Sequence, residues 1–94
     1  MRIAGRDRLL QFFDKHADAC EVIKAWQSET ETAMWQTPQD IKDRYVSVSV
    51  LGKNLVIFNL KGNRYRMACK VNYAAAQVEV VWIGTHAEYS KRKF

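Results

Sequence analysis

The sequence predicts an α+β domain with helices packed on one face of a mainly antiparallel sheet. Three observations carry this. Up to residue 32, apolar side chains recur at helical spacing, first Leu9, Leu10, Phe12 and Phe13, then Cys20, Val22, Ile23 and Trp26. From Val46 the period falls to two, with Val46, Val48 and Val50 alternating with Ser47 and Ser49 before further apolar runs broken by short polar links. The chain has 94 residues, enough for one compact core and too few for two, so residues 1–94 are read as a single domain.

In order, Arg2 to Ala4 is expected as a short edge strand, and Asp7 as the cap of the first helix. Asp18, with Glu21 three residues on, resembles a capping box opening a second helix from about Ala19 to Thr32. A link of His16, Ala17 and Asp18 makes the pair a helical hairpin, with His16 exposed at the helix end. Thr37 and Pro38 read as a cap and first helical residue of one short turn reaching Asp43. Val46 to Val50 is the next strand, and Gly52-Lys53-Asn54 turns it into Leu55 to Leu60, apolar on both faces and therefore central. Lys61-Gly62-Asn63 leads to a strand from Arg64 to Asn72, and Tyr73 to Gln77 to one from Val78 to Ile83. Such short links favour an antiparallel meander of four strands, five with the N-terminal one, and a short C-terminal helix follows.

Composition narrows the function. Hydrophobic residues make up 48% and charged ones 27%, as in a globular protein. No apolar run approaches the roughly 20 residues a membrane helix needs. Met1 to Asp7 is too poor in apolar residues for a signal peptide, so a cytoplasmic protein without a membrane partner is expected. Cys20 and Cys69 fall at apolar positions with no metal-ligand spacing and read as reduced core thiols. A formal charge of +5 points to a polyanionic partner. There is no carboxylate pair, HExxH or phosphate-binding glycine loop, so neither metal nor cofactor is expected.

The candidate chemistry lies on one strand and beyond the next. Alternation places Arg64, Arg66, Lys70 and Asn72 on one face, opposite Tyr65, Met67, Cys69 and Val71. His86 and Tyr89, just past the last strand, would emerge at the sheet end and reach that basic stripe. Cations beside an imidazole and a phenol are the parts needed to hold a phosphate and move protons around it. Tyr65 and Trp82 lie in apolar runs and are assigned to the core. Lys53, Asn54, Lys61 and Asn63 are turn residues that contact phosphate where the turns rim the cleft. The basic tail Ser90-Lys91-Arg92-Lys93-Phe94 reads either as a frayed helix end or as part of a binding surface.

The run from Ser49 to Arg66, with Phe58-Asn59, Gly62-Asn63 and Tyr65-Arg66 within it, is followed by Val71-Asn72-Tyr73 and Gly84-Thr85-His86-Ala87-Glu88-Tyr89. Together with the Trp35-Gln36-Thr37-Pro38 link, this combination resembles the HigB-type toxins of bacterial type II toxin–antitoxin modules, a branch of the RelE superfamily. The resemblance implies a RelE-like two-layer fold and endonucleolytic cleavage of messenger RNA, typically on the ribosome, restrained by a helix-turn-helix antitoxin. This chain has Ser90 where the family commonly has an aspartate after the tyrosine. On this reading Arg66, His86 and Tyr89 are the catalytic candidates. Lys53, Asn54, Lys61, Asn63, Arg64, Lys70 and Lys91 would contact RNA. The alternative is a basic RNA- or ribosome-binding module with the same stripe and no chemistry.

Overall fold

In the computed structural model, which describes residues 1–52 and 54–92, strand β1 (Arg2–Ala4) precedes helices α1 (Arg6–Lys15) and α2 (Cys20–Thr32). A single 3₁₀ turn at Ala17–Ala19 joins the helices. Helix α3 (Pro38–Arg44) leads into strands β2 (Ser49–Val50), β3 (Leu55–Leu60), β4 (Tyr65–Asn72) and β5 (Gln77–Thr85), and helix α4 (His86–Ser90) follows. The sheet order is β1-β5-β4-β3-β2, antiparallel throughout except that β1 runs parallel to β5. This is the expected two-layer α+β arrangement. None of the described helices is long and apolar enough to cross a membrane.

Both N-terminal helices cover the same sheet face. Phe12 of α1 meets Tyr65 of β4 edge-on at 5.2 Å, and Trp26 of α2 meets Phe58 of β3 at 5.5 Å. Trp35 and Tyr45 close around the same Phe58, so one buried ring gathers α2, the following link and the end of α3. Full burial of such a side chain contributes roughly 1.5–3 kcal/mol, which is why these aromatics rather than the polar links fix the layer. On β4 the alternation is as the sequence predicts, with Tyr65, Met67, Cys69 and Val71 buried under the helices.

Three local expectations need correction. Asp7 does not cap α1; the helix starts two residues earlier than that cap implies, at Arg6, after Gly5, whose φ of +82° turns the chain sharply out of β1. Asp18 does not cap α2 either, because its carboxylate is drawn across to the β3–β4 turn, and α2 has no side-chain cap. The strand expected from Val46 is only Ser49–Val50, since Val46 and Ser47 form a turn closed by Val48 N–H donating to the Tyr45 carbonyl at 3.0 Å. Thr37 and Pro38, by contrast, open α3 with a complete capping box in which the Asp40 carboxylate accepts from the Thr37 backbone.

Candidate active site

Strand β4 carries Arg66, Ala68, Lys70 and Asn72 on the face away from the helices, and the pairing with β5 decides what lies beside them. Cys69 is opposite Val80, yet Ala68 is opposite Trp82, so Val81 is an extra residue and β5 is bulged there. One extra residue reverses the facing of everything after it. Val78 and Val80 stay in the main core, whereas Trp82 and Gly84 turn to the Arg66 face. Trp82 is therefore a half-buried wall of the site and not the core residue its apolar run suggests.

Arg66 lies opposite Gly84 on one side and Asn59 on the other. Its guanidinium carbon sits 4.8 Å from the centroid of the Tyr89 ring, a cation–π contact that fixes the long side chain in place. Tyr89 in turn lies 6.1 Å from Trp82, over whose ring Arg92 places its guanidinium at 5.5 Å. Asn59 donates from Nδ2 to the Ser47 carbonyl at 2.9 Å. Its Oδ1 and the Arg66 Nε are both buried with no hydrogen-bond partner among the described residues. An uncompensated donor and acceptor at paired positions mark a polar site without a protein partner.

Several other cations are paired. Arg6 pairs with Glu31, Arg44 with Glu29, and Arg64 with Asp18. Asp18 gathers three donors, Tyr65 Oη at 2.6 Å, Arg64 Nη1 at 2.9 Å and Lys61 Nζ at 3.4 Å. These hold its carboxyl down to about 2, the Tyr65 hydroxyl being the largest cause. Arg64 therefore precedes β4 and is tied to the helix joint instead of lying along the stripe with Arg66.

The remaining candidates separate. Lys70 is four residues from Arg66, about 13 Å at strand rise, and lines a distinct cleft with Asn54 and Asn72. Asn63 is exposed in the β3–β4 turn, Lys91 is exposed at the end of α4, and Lys53 lies outside the described residues. His86 is the first residue of α4, and its backbone N–H continues the ladder by donating to the Arg64 carbonyl at 3.0 Å. Its imidazole is exposed and makes no hydrogen bond among the described residues. The Thr85–Glu88 capping box starts α4 at this point and so sets where Tyr89, three residues after His86, meets Arg66. Of the predicted set, Arg66 and Tyr89 are in contact and His86 is close in the chain. Asn59 was legible in principle as the polar residue inside an apolar strand. The bulge that delivers Trp82 was not.

His16, expected at an exposed helix end, is half-buried, its ring stacked 4.4 Å from Phe12. Among the described residues, no group of three or more His, Cys, Asp or Glu could hold a metal ion.

No curated protein matches the chain. A family profile matches residues 19–92, which span α2, all of the antiparallel strands and the Arg66–Tyr89–Trp82 cluster. The chain therefore belongs to the HigB toxin family, the RelE-like toxic component of a toxin–antitoxin system.

Proposed function

We propose that this toxin is an endoribonuclease that cleaves messenger RNA, in association with the ribosome, by attack of the RNA 2′-OH on the adjacent phosphate. The observation that carries the reading is Arg66. It is a half-buried guanidinium held by an aromatic ring, with no carboxylate in ion-pair contact among the described residues, on a face where the Oδ1 of the neighbouring Asn59 also has no hydrogen-bond partner among them. A pre-placed cation of this kind stabilises charge that develops on a phosphorane without reorganising during the reaction. The planar fork of arginine suits two phosphate oxygens at once.

The reaction needs a base for the 2′-OH proton and an acid for the departing 5′-oxygen, but no protein nucleophile. His86 and Tyr89, three residues apart on α4, stand on one side of that helix and supply an imidazole and a phenol. Attack forms the bond from O2′ to phosphorus as the bond to O5′ breaks, leaving a cyclic phosphate and a free 5′-hydroxyl. A toxin of this family has an antitoxin partner, and a helix-turn-helix protein is the expected one.

One observation favours the alternative of binding without chemistry. The His86 imidazole has no hydrogen-bond partner among the described residues to orient it, whereas a proton-transferring histidine ordinarily has one. Induced expression of wild type and His86→Ala, with the 5′ ends of cellular transcripts mapped, separates the two readings. Cleavage by wild type that His86→Ala loses, with ribosome co-sedimentation retained, supports the enzyme. Growth arrest by both proteins without new transcript ends would leave the binding module.

A further inference from the structure

Trp82 also lines a cleft of about 230 Å³ between α1 and the corner where β5 becomes α4. Arg8, Lys15 and His16 line it from α1, and Trp82 and Glu88 from the other wall. The spacing of Arg8 and Lys15, two helical turns, puts both on one helix face. Neither cation has an acidic partner within ion-pair distance among the described residues, in contrast to Arg6 and Arg64. The half-buried Trp82 and His16 rings add aromatic surface.

Glu88 is the one carboxylate among the described residues that line the cleft. Its Oε1 accepts the Thr85 backbone N–H at 2.8 Å, which fixes the carboxylate at the cleft as an acceptor with lone pairs to spare. The Thr85 backbone bond is the main reason this carboxyl stays below the usual range, with Lys15 and His16 contributing charge. The cleft thus joins two cations, a flat aromatic surface and a fixed acceptor.

We infer that this cleft is a second nucleotide subsite, taking a nucleotide that flanks the scissile phosphate in the same single-stranded RNA. Its phosphate lies on Arg8 and Lys15, its base against Trp82, and an exocyclic amine of the base donates to Glu88. The inference rests on the ribonuclease reading, and Trp82 is the shared wall that makes the two sites continuous. Cations interleaved with aromatics suit a nucleotide. An acidic peptide would meet Glu88, and an apolar ligand would leave three charged side chains uncompensated. The amine contact favours adenine, cytosine or guanine over uracil at this position, because uracil has no exocyclic donor.

The test is titration of the isotope-labelled protein with 5′-AMP, 5′-UMP and inorganic phosphate, followed by NMR. AMP is expected to shift the amides of Arg8, Lys15 and Glu88 and the Trp82 indole, and to bind more tightly than UMP. Arg8→Gln/Lys15→Gln should weaken AMP by about tenfold or more, since each charge-assisted contact is worth at least that order. Glu88→Gln, which keeps the capping geometry, should bring AMP and UMP together. Thermal melts check that these exposed substitutions leave the fold intact. Shifts confined to the Arg66 end, equal binding of phosphate and AMP, or displacement of AMP by an acidic peptide would each overturn the subsite. None of these readouts depends on cleavage, so loss of the ribonuclease reading, through growth arrest without new transcript ends, would be seen separately.

Discussion

The ring of Trp82 occupies the space that a side chain on Gly84 would need. A Cβ at Gly84 would come within 2.5 Å of Trp82 Cζ2, 2.7 Å of its Cη2 and 3.0 Å of Glu88 Oε1. Gly84 is also the residue opposite Arg66, so the absence of a side chain there lets the indole fold over the strand beside the cation. Gly84→Ala should therefore push the indole away and disturb the Trp82–Tyr89–Arg66 stack. Misplacement of about 1 Å in a reacting constellation can cost on the order of a hundredfold, so cleavage should fall by ten- to a hundredfold with a small change in melting temperature. Single-turnover cleavage and thermal melts measured together check this, and an unchanged rate would detach the indole from the site.

Asp18 predicts an acid limit to stability. Its folded carboxyl titrates near 2, below the ordinary carboxylate value of about 3.9, because Tyr65, Arg64 and Lys61 favour the ionised form. A depressed carboxyl stabilises the fold above its unfolded pKa, and that contribution is lost as pH falls from about 4 towards 2. Asp18→Asn should be less stable than wild type at neutral pH and should converge with it on acidification. Melting curves from pH 7 to pH 2 test the sign; a gap that stays constant would mean that Asp18 acts through packing and not charge.

Those two residues also show what the sequence could and could not disclose. Period and turn chemistry were enough for the layers, the strand order from β2 to β5 and the Arg66 face, because alternation on β4 is unbroken. Trp82 was misassigned because a bulge at Val81 is a pairing event between strands, and the apolar run Val78 to Ile83 looks the same with or without it. Asp18 was misassigned for a related reason. Its local pattern satisfies a capping box, but Arg64 and Tyr65, distant in sequence, compete for the same carboxylate and win by offering a charge and a hydroxyl together. That Tyr89 reaches Arg66 was legible because the Thr85–Glu88 box that starts its helix is local in sequence.

Gly5 tests the fold apart from the site. Its φ is +82°, and a Cβ there would lie 2.4 Å from the Val80 carbonyl oxygen, a backbone atom that cannot move aside. The left-handed conformation alone costs a side chain about 1–2 kcal/mol, and each kcal/mol shifts the melting point of a domain this size by roughly 4–8 °C. Gly5→Ala should lower the melting temperature by on the order of 10 °C or more. A shift under about 3 °C would mean that the β1–α1 turn relaxes freely.

Ionic strength should separate Arg64, which is paired, from Arg66, which has no ion pair among the described residues. Each phosphate neutralised on single-stranded RNA adds roughly 0.7 to the slope of log affinity against log salt. Arg66→Gln should reduce the slope by about that amount, and Arg64→Gln by less, because Arg64 already has Asp18 as its counter-ion. Affinities from low to moderate salt measure both, and equal effects would return Arg64 to the binding surface on the same footing as Arg66.

The catalytic assignment is tested by a series at Arg66 and Tyr89. Arg66→Ala should slow single-turnover cleavage by about a hundredfold or more, since one preorganised donor to a developing oxyanion is worth about 2.7–4 kcal/mol. Arg66→Lys should recover only part of this, because an ammonium cannot give the two-pronged phosphate contact and fits the ring face less well. Tyr89 has two separable roles, its ring under the guanidinium and its hydroxyl. Tyr89→Phe keeps the ring and removes the proton donor, whereas Tyr89→Ala removes both. If the phenol moves a proton, Tyr89→Phe is already slow and its pH–rate profile loses a limb. If the ring only positions Arg66, Tyr89→Phe stays near wild type, Tyr89→Ala falls to the level of Arg66→Lys, and His86 is left as the sole proton carrier of the site. Wild-type rates in a folded Arg66→Ala would remove the cation from the mechanism, and with it the reason for assigning the reaction to this face of the sheet.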